Sequence, residues 1–346
     1  MNIKSYMLSI MKDERRTLDA YTVGFLLSVA SLIYLIFLKS VYFLYRTKIL
    51  RSHKAPRKVI SVGNITLGGT GKTPFAIALA GYVKRAGKKP AVLNRGYGDD
   101  ESRLLKEKLK ETPVLLGRDR VKNAAKAFNE LGSDCVILDD GFQHHRIKKD
   151  LDIVLIDATC PFGNMKLFPR GILREPLTRL KDADIAILTK TDMGGDNIVP
   201  IRGLLKRLNE KIEIVESFYQ PIDLKRILTD EIVSLSYIAK RKIAVLAGIA
   251  NPNYFEWMVG NLGAEIRDRF FYPDHHPYSN RDIAYAAERC IAKGIDTIIT
   301  TEKDAVRLKR LKAMPKGIDI LALRINFRVS SNEKTIVDRL YSIFNR

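Results

Sequence analysis

Cysteine is scarce in this sequence. Its 346 residues include only three cysteines, Cys135, Cys160 and Cys290, which lie far apart, with no Cys-x-x-Cys pair and no histidine at metal-ligand spacing. The scarcity argues against a disulfide framework and against a zinc site, and it favours ordinary thiols in a reducing compartment such as the cytoplasm. The sequence also lacks internal repeats and low-complexity segments.

Acidic residues are few relative to basic ones. The 39 Asp and Glu residues face 59 Lys and Arg residues, which gives a formal net charge of +20. Such a surplus predicts an anionic partner: nucleic acid, an anionic membrane surface or a phosphorylated substrate. Apolar residues make up 46% of the chain, so a packed core is available and wholesale disorder is disfavoured. The length is sufficient for two packed domains.

Charged residues are absent from positions 20–38 (AYTVGFLLSVASLIYLIFL). As a helix, this run would extend about 28 Å at ~1.5 Å per residue, close to the hydrocarbon thickness of a bilayer. Seven Lys and Arg residues follow between positions 39 and 58, and no small-residue cleavage site does, so a membrane helix is favoured over a cleaved signal peptide. A buried core helix is the alternative, and whether a membrane helix spans the bilayer or lies in its interface stays open. Basic residues against anionic headgroups would explain part of the charge without nucleic acid.

Past residue 58, short apolar runs alternate with helical segments. The runs end in Gly, Asn, Asp or Thr, which is typical of strands buried on both faces. The predicted strands cover residues 59–62, 90–93, 135–138, 153–156 and 185–188. This alternation predicts a doubly wound α/β fold with a mostly parallel sheet and helices on both faces. A second β/α series follows a basic connection near residue 240, so we predict three parts: a membrane-associated segment 1–54, a core 55–239 and a smaller α/β lobe 240–346.

The stretch KVISVGNITLGGTGKTPF, Lys58 to Phe75, has the pattern of a P-loop. A buried strand leads into a glycine-rich turn, whose amides can surround phosphate oxygens, and then into a helix. The lysine of Gly-Lys-Thr can reach the β- and γ-phosphates, and the threonine can bind a metal. The strict pattern has Gly where this chain has Thr66. We assign nucleotide contacts to Thr66, Leu67, Gly68, Gly69, Thr70, Gly71, Lys72 and Thr73.

A metal bound to the nucleotide needs a carboxylate from a neighbouring strand end. The segment VILDDGFQHH supplies Asp139 and Asp140 directly after four apolar residues. Together with Thr73, these carboxylates predict a site for Mg²⁺. We assign His144 and His145 a supporting role around that site, because a lone histidine pair in a loop is usually a hydrogen-bonded structural element.

Two uses of the nucleotide are compatible with these motifs. The segment Thr189-Lys190-x-Asp192, at a strand end, is similar to the guanine-reading motif of GTPases. A kinase would instead need a general base and a basic clamp for an anionic acceptor. Acidic residues at 99–102 and the loop YPDHHPYS at 272–279 offer the base and a proton-handling histidine, and Arg170 and Arg174 offer the clamp.

The motifs, taken together and in order, resemble those of the tetraacyldisaccharide 4′-kinase family, the lipid A 4′-kinases of Gram-negative bacteria. The resemblance rests on SVGNITLGGTGKTPF, LNRGYG, LLGRDR, ILDDGFQHH, PRGILREPL, AILTK, FYPDHHPYS and TTEKDA. It implies a P-loop kinase that uses ATP to phosphorylate the 4′-hydroxyl of a tetraacylated disaccharide 1-phosphate, giving lipid IVA. It further implies that the enzyme acts at the cytoplasmic face of the inner membrane. Its partners would be the lipid substrate and an anionic membrane surface, not nucleic acid.

The resemblance also implies a catalytic pair formed by an aspartate and a histidine. The histidine corresponds to His275. The aspartate corresponds best to Asp100, with Asp99 as the alternative, because the segment GDDES is short here and lacks the family's following proline. If Asp100 belongs to the core and His275 to the smaller lobe, the two meet only when the lobes face each other.

Overall fold

The computed structural model describes residues 6, 9–11, 13, 15, 17–96, 99–311, 315 and 317–345. Contacts divide the chain into two compact units. Unit 1 comprises Met1–Arg95, Glu111–Phe218 and Val329–Arg346, and unit 2 comprises Gly96–Lys110 and Tyr219–Arg328. A single division between residues 239 and 240 does not reproduce this outline, because each unit is built from separate stretches of chain.

Unit 1 contains a parallel sheet with strand order β7-β6-β5-β1-β4-β2-β3. Every neighbouring pair in this order runs parallel. The strands are β1 (Lys58–Gly63), β2 (Pro90–Asn94), β3 (Val114–Leu116), β4 (Cys135–Asp139), β5 (Leu151–Asp157), β6 (Ile185–Thr189) and β7 (Glu213–Arg226), the last of which continues into unit 2. The central strands are apolar and buried, as expected for a sheet covered on both faces.

Some of the helices of unit 1 connect these strands, whereas the first and the last lie outside them in the chain. The helices of this unit are α1 (Leu18–Arg46), α2 (Lys72–Arg85), α4 (Arg120–Asn129), α5 (Ile198–Leu208) and α9 (Glu333–Phe344). Helix α2 follows β1 directly, and it buries Phe75, Ala76, Leu79, Ala80 and Val83 completely. The P-loop segment is therefore held between a buried strand and a buried helix.

Helix α1 is the one helix in the described part of the chain that is long and apolar enough to cross a membrane. At ~1.5 Å per residue its 29 residues extend about 44 Å. Large apolar side chains along it are exposed, among them Phe25, Leu32, Ile33, Ile36 and Phe37. A helix that exposes so much apolar surface to water is unfavourable.

Unit 2 contains a second group of strands in the order β10-β9-β11-β12-β7. The pairs β10–β9, β9–β11 and β11–β12 are parallel, and the short β8 is antiparallel to β7. The strands are β8 (Ile232–Val233), β9 (Lys242–Ala247), β10 (Glu265–Phe271), β11 (Thr297–Thr301) and β12 (Asp319–Ser331), which ends in unit 1. The helices are α3 (Asp99–Lys108), α6 (Pro252–Asn261), α7 (Asn280–Ala292) and α8 (Glu302–Leu308).

The predicted mostly parallel α/β fold is confirmed. The five predicted strands of the core correspond to β1, β2, β4, β5 and β6, with ends that differ by two residues at most. One local expectation is corrected. The predicted core 55–239 includes the acidic residues 99–102, but in the structure these residues open helix α3, which belongs to unit 2.

Candidate functional site

The P-loop lies between β1 and α2 and depends on glycine at two positions. Gly68 and Gly71 have φ angles of 108° and 90°, in the region that side chains rarely adopt. The amide of Leu67 donates to the carbonyl of Ile172 at 2.7 Å, and Asn64 Nδ2 donates to the carbonyl of Thr66 at 2.8 Å. These bonds fix the segment that leads into the turn. Gly71 caps α2 without a side-chain acceptor, which leaves the first amides of the helix available to an anion.

The side chains of the Gly-Lys-Thr motif point toward the end of β4. Lys72 Nζ lies 3.2 Å from Asn64 Oδ1 and 3.6 Å from Asp140 Oδ1. The Thr73 hydroxyl donates to Asp139 Oδ2 at 3.3 Å. The structure therefore brings together the lysine, the hydroxyl and the two carboxylates that the sequence analysis assigned to a nucleotide and its metal.

The two aspartates after β4 have different surroundings. Asp139 is buried and accepts from Asn94 Nδ2 at 2.9 Å. Arg120 Nη2 and Nη1 donate to the backbone carbonyls of Asp139 and Asp140 at 2.6 and 2.9 Å, which fixes this turn. Burial raises the pKa of Asp140, but the charges of Lys72 and Arg174 outweigh it and hold that pKa well below its usual range. Asp140 is therefore an anion at neutral pH.

The two arginines of the predicted clamp have different partners. Arg174 makes two bonds to Asp140, Nη1–Oδ1 at 3.0 Å and Nη2–Oδ2 at 3.2 Å. Arg170 instead donates from Nη1 to the carbonyl of Ile10 at 2.9 Å and pairs with Asp13. The structure thus brings Arg174, and not Arg170, to the carboxylates beside the P-loop.

Helix α1 is docked on the loop that carries both arginines. The Ser31 hydroxyl donates to the carbonyl of Leu167 at 2.8 Å and accepts from the amide of Arg170 at 3.0 Å. The Tyr34 hydroxyl donates to the carbonyl of Arg174 at 2.9 Å, and the Tyr42 hydroxyl donates to the buried Glu175. One face of α1 is therefore fixed to unit 1 by polar contacts, while its apolar side chains stay exposed.

The segment similar to a guanine-reading motif contacts the P-loop. Lys190 Nζ donates to the carbonyl of Gly69 at 3.0 Å and pairs with Asp157, and both side chains are largely buried. The Thr189 hydroxyl donates to the carbonyl of Thr70 at 3.1 Å. Thr189 and Lys190 therefore support the backbone of the P-loop, and the sequence analysis did not predict this contact.

His144 and His145 are close to the end of β4 and are held in the neutral state. Burial, reinforced by nearby arginine and lysine charges, lowers the pKa of each imidazole to about 4. The ring of His145 packs against Tyr42 and Tyr45 of α1, with centroid distances of 5.5 and 5.4 Å. These contacts place His145 against helix α1, and the supporting role of the pair around the metal site stays a prediction.

Asp100 and His275 meet within unit 2. His275 Nδ1 lies 3.1 Å from Asp100 Oδ2, and Arg307 Nε lies 3.4 Å from the same oxygen. Burial raises the pKa of Asp100, but the hydrogen bond from His275 and the charges of Lys303 and Arg307 outweigh it and lower that pKa to about 2. The hydrogen bond to Asp100 raises the pKa of His275 above its ordinary value. An ionised carboxylate bonded to an imidazole suits general-base chemistry.

This arrangement corrects one expectation. Asp100 and His275 were placed in different lobes, but helix α3 carries Asp100 into the same unit as His275. The side chain of Asp99, the alternative base, lies outside the described part of the structure.

Sequence reasoning missed the cation beside this pair. Lys303, at the second position of α8, places Nζ 3.1 Å from His275 Nε2, 3.1 Å from Glu101 Oε1 and 3.2 Å from Asp274 Oδ1. It belongs to the motif TTEKDA, which was noted in the sequence without a role. The motif could have drawn attention to Lys303, but its contacts could not be predicted, because they join three separate stretches of chain.

Comparisons with known proteins identify the family of this chain. A family model described as tetraacyldisaccharide-1-P 4′-kinase matches residues 23–344. The tetraacyldisaccharide 4′-kinase of Syntrophus aciditrophicus is 33% identical, over 97% of this chain and 98% of its own. That of Desulfatibacillum aliphaticivorans is 36% identical over 90% of each chain. The crystal structure of LpxK from Aquifex aeolicus in complex with ATP superposes with a TM-score of 0.67 and 25% identity, covering 91% of this chain and 97% of the other. This chain therefore belongs to the tetraacyldisaccharide 4′-kinase family.

Proposed function

We propose that this protein transfers the γ-phosphoryl group of ATP to the 4′-hydroxyl of a tetraacyldisaccharide 1-phosphate, giving lipid IVA, a step of lipid A biosynthesis. The observation that carries the proposal is the extent of the family match, residues 23–344. It includes the P-loop, the carboxylates after β4 and the Asp100–His275 pair. A GTPase function is not favoured, since the matched relatives are kinases.

Unit 1 holds the nucleotide in this proposal. The amides at the start of α2 and the ammonium of Lys72 supply positive charge where the phosphates bind. The ATP bound in the Aquifex aeolicus structure supports ATP as the nucleotide of this chain. Lys190 and Thr189 keep the P-loop backbone in place through Gly69 and Thr70.

The residues around Thr73 fit a Mg²⁺ ion. Mg²⁺ prefers hard oxygen ligands, and the Thr73 hydroxyl and the carboxylates of Asp139 and Asp140 supply such oxygens. The 3.3 Å contact between Thr73 and Asp139 brings the hydroxyl and the first carboxylate to one place. When bound, the ion would neutralise charge on the β- and γ-phosphates. We propose Thr73, Asp139 and Asp140 as the residues that hold it.

We assign the general base to Asp100. The 4′-hydroxyl oxygen forms a bond to the γ-phosphorus while the bond between that phosphorus and the β–γ bridging oxygen breaks, and ADP leaves. The hydroxyl proton passes to a carboxylate oxygen of Asp100, and His275 orients that carboxylate through its Nδ1 bond. With a pKa of about 2, Asp100 is fully ionised but weakly basic. An ionised carboxylate can receive the hydroxyl proton as the bond to phosphorus forms.

The acceptor lipid would bind beside helix α1. Arg170 lies against this helix, next to Ser31, and its charge, which pairs with Asp13 in this structure, can pair with the phosphate of the acceptor instead. Arg174 is bonded to Asp140 and is suited to a phosphate near the metal site. We propose both as substrate-binding residues, with Arg170 on the side of the membrane helix.

The protein would associate with the cytoplasmic face of the bacterial inner membrane through α1. Its polar contacts with unit 1 extend from Ser31 to Tyr42. If the helix spanned the bilayer, the polar loop at 167–175 would have to enter the hydrocarbon with it, which is unfavourable. We therefore propose that α1 lies in the plane of the interface, with its exposed apolar side chains in the lipid and the basic residues after it at the headgroups.

A transfer assay tests this function. The full-length protein in detergent is incubated with Mg²⁺, ATP or GTP and tetraacyldisaccharide 1-phosphate, and the lipid is analysed by mass spectrometry. We expect the addition of one phosphoryl group with ATP, and a loss of at least about 10²-fold in the Lys72→Ala variant. Clear GTP selectivity with release of free phosphate, and no phosphorylated lipid, would contradict the proposal.

A further inference from the structure

Lys303 is the one ammonium group placed directly against His275 in the described contacts. Its three N–H groups face three acceptors: Glu101 Oε1 at 3.1 Å, Asp274 Oδ1 at 3.2 Å and His275 Nε2 at 3.1 Å. Burial lowers the pKa of Lys303, but the carboxylates of Glu101 and Asp274 outweigh it and raise that pKa above its ordinary value. The group is therefore charged and can only donate hydrogen bonds.

The two partners of His275 determine which ring nitrogen carries the proton. Asp100 is ionised and can only accept, so the bond at Nδ1 requires an N–H there. Lys303 can only donate, so the bond at Nε2 requires a free lone pair on that nitrogen. A neutral imidazole with its hydrogen on Nδ1 satisfies both contacts, whereas the imidazolium satisfies only the contact with Asp100 and the other neutral tautomer satisfies neither.

From this juxtaposition we propose that Lys303 is a positioning residue for the reaction: it holds His275 as the neutral Nδ1–H tautomer, so that His275 donates to Asp100 and Asp100 receives the hydroxyl proton. The proposal rests on the proposed function, since it assigns the pair to that reaction. Glu101 and Asp274 take part by fixing the ammonium group. Lys303 itself does not touch the reacting atoms in this scheme.

The proposal predicts how the activity of a Lys303 variant depends on pH. The charged groups that face His275 are Asp100 and Glu101 from α3, Asp274 from its own loop and Lys303 from α8. The three carboxylates favour the imidazolium, and the ammonium opposes it. Removing Lys303 should therefore raise the pH below which His275 becomes protonated and activity falls.

The wild-type protein alone tests the tautomer. The full chain, labelled with ¹⁵N on histidine, is studied by long-range ¹H–¹⁵N correlation NMR at pH 9, and the signals of His275 are assigned with a His275→Gln variant. We expect the pattern of the neutral Nδ1–H tautomer. The neutral Nε2–H tautomer in an enzyme that phosphorylates the lipid would overturn the proposal. A wild-type protein that does not phosphorylate the lipid would overturn the proposed function instead.

Kinetics of Lys303 variants give the second test. Lys303→Met should lower kcat by at least about 10-fold, with little change in the KM for ATP, and move the acid limb of the pH profile upward. The double variant with His275→Gln should lose little more than His275→Gln alone, because Lys303 acts through that ring. Lys303→Arg keeps the charge and should retain more activity. Lys309→Met, whose ion pair with Asp230 is exposed, is the matched control and should be unchanged. Independent, multiplicative losses or an unmoved pH profile would refute the role.

Discussion

The contact between Asp100 and His275 can be tested by a double-mutant cycle. Asp100→Asn keeps the shape of the side chain, but the amide cannot receive the hydroxyl proton. His275→Gln keeps a hydrogen-bond donor but removes the ring. A positioned general base contributes about 10²–10⁴-fold to a rate, which corresponds to about 3–5 kcal/mol at ~1.4 kcal/mol per tenfold.

The structure sets the expected coupling. The Nδ1–Oδ2 distance of 3.1 Å makes the two side chains one hydrogen-bonded unit, and Asp100 is only 4% exposed. Either substitution therefore removes most of the rate enhancement that the pair contributes. We expect the loss in the double variant to fall well below the product of the two single losses, with the KM for ATP nearly constant. The assay is single-turnover transfer of labelled phosphate to the lipid.

Unit 2 offers a matched control for this cycle. His276 and Asp282 form a second histidine–aspartate pair, with Nε2 and Oδ2 3.2 Å apart, and this pair lies at the start of α7. His276→Gln should leave kcat unchanged. Fully multiplicative losses, or an equal loss in the control, would refute the reasoning. If Asp100→Asn kept full activity while Asp99→Asn was inactive, the general base would be Asp99.

Three further predictions concern the metal and the membrane. Asp139→Asn should raise the Mg²⁺ concentration needed for half-maximal activity and lower kcat, because a neutral amide replaces a carboxylate beside Thr73; an unchanged Mg²⁺ titration would contradict this. Replacing Phe25, Ile33 and Phe37 with Glu should release the protein from anionic vesicles in flotation, since each exposed apolar side chain contributes about 1.5–3 kcal/mol when buried in lipid. An N-terminal tag on the wild type should be cut by protease added to inside-out membrane vesicles, and a protected tag would indicate a spanning helix.

Local sequence patterns predicted much of unit 1. The buried strands are short apolar runs bounded by turn residues, and the P-loop pattern is contiguous, so neither depends on distant partners. Gly63 is an exception, because a Cβ there would lie 2.5 Å from that of Phe142, so the requirement for glycine at this strand end comes from a distant residue. The long strand β7 was missed because its buried and partly exposed positions alternate irregularly and it contains charged residues.

Other features could not be read from local patterns. Helix α3 is mostly polar (DDESRLLKEK), so hydrophobic periodicity gives little sign of it. Lys303 and its partners lie on three stretches separated by more than 25 residues, and only the folded chain brings them together. The docking of α1 is also non-local, because Ser31 and Tyr34 bond to backbone atoms more than 130 residues away.

The discontinuous division of the chain has a consequence for how the protein is made. A ribosome synthesises the chain from its N-terminus, yet unit 1 needs residues after 328, including helix α9. Within that last stretch, Asn332 donates to the carbonyl of Ile214 at 3.0 Å, and Glu333 accepts from Tyr82. The unit that begins first is therefore finished last, after all of unit 2 has been synthesised. A nascent chain stalled near residue 328 would expose an incomplete nucleotide-binding unit, and such intermediates depend on chaperones more than units that fold as they emerge.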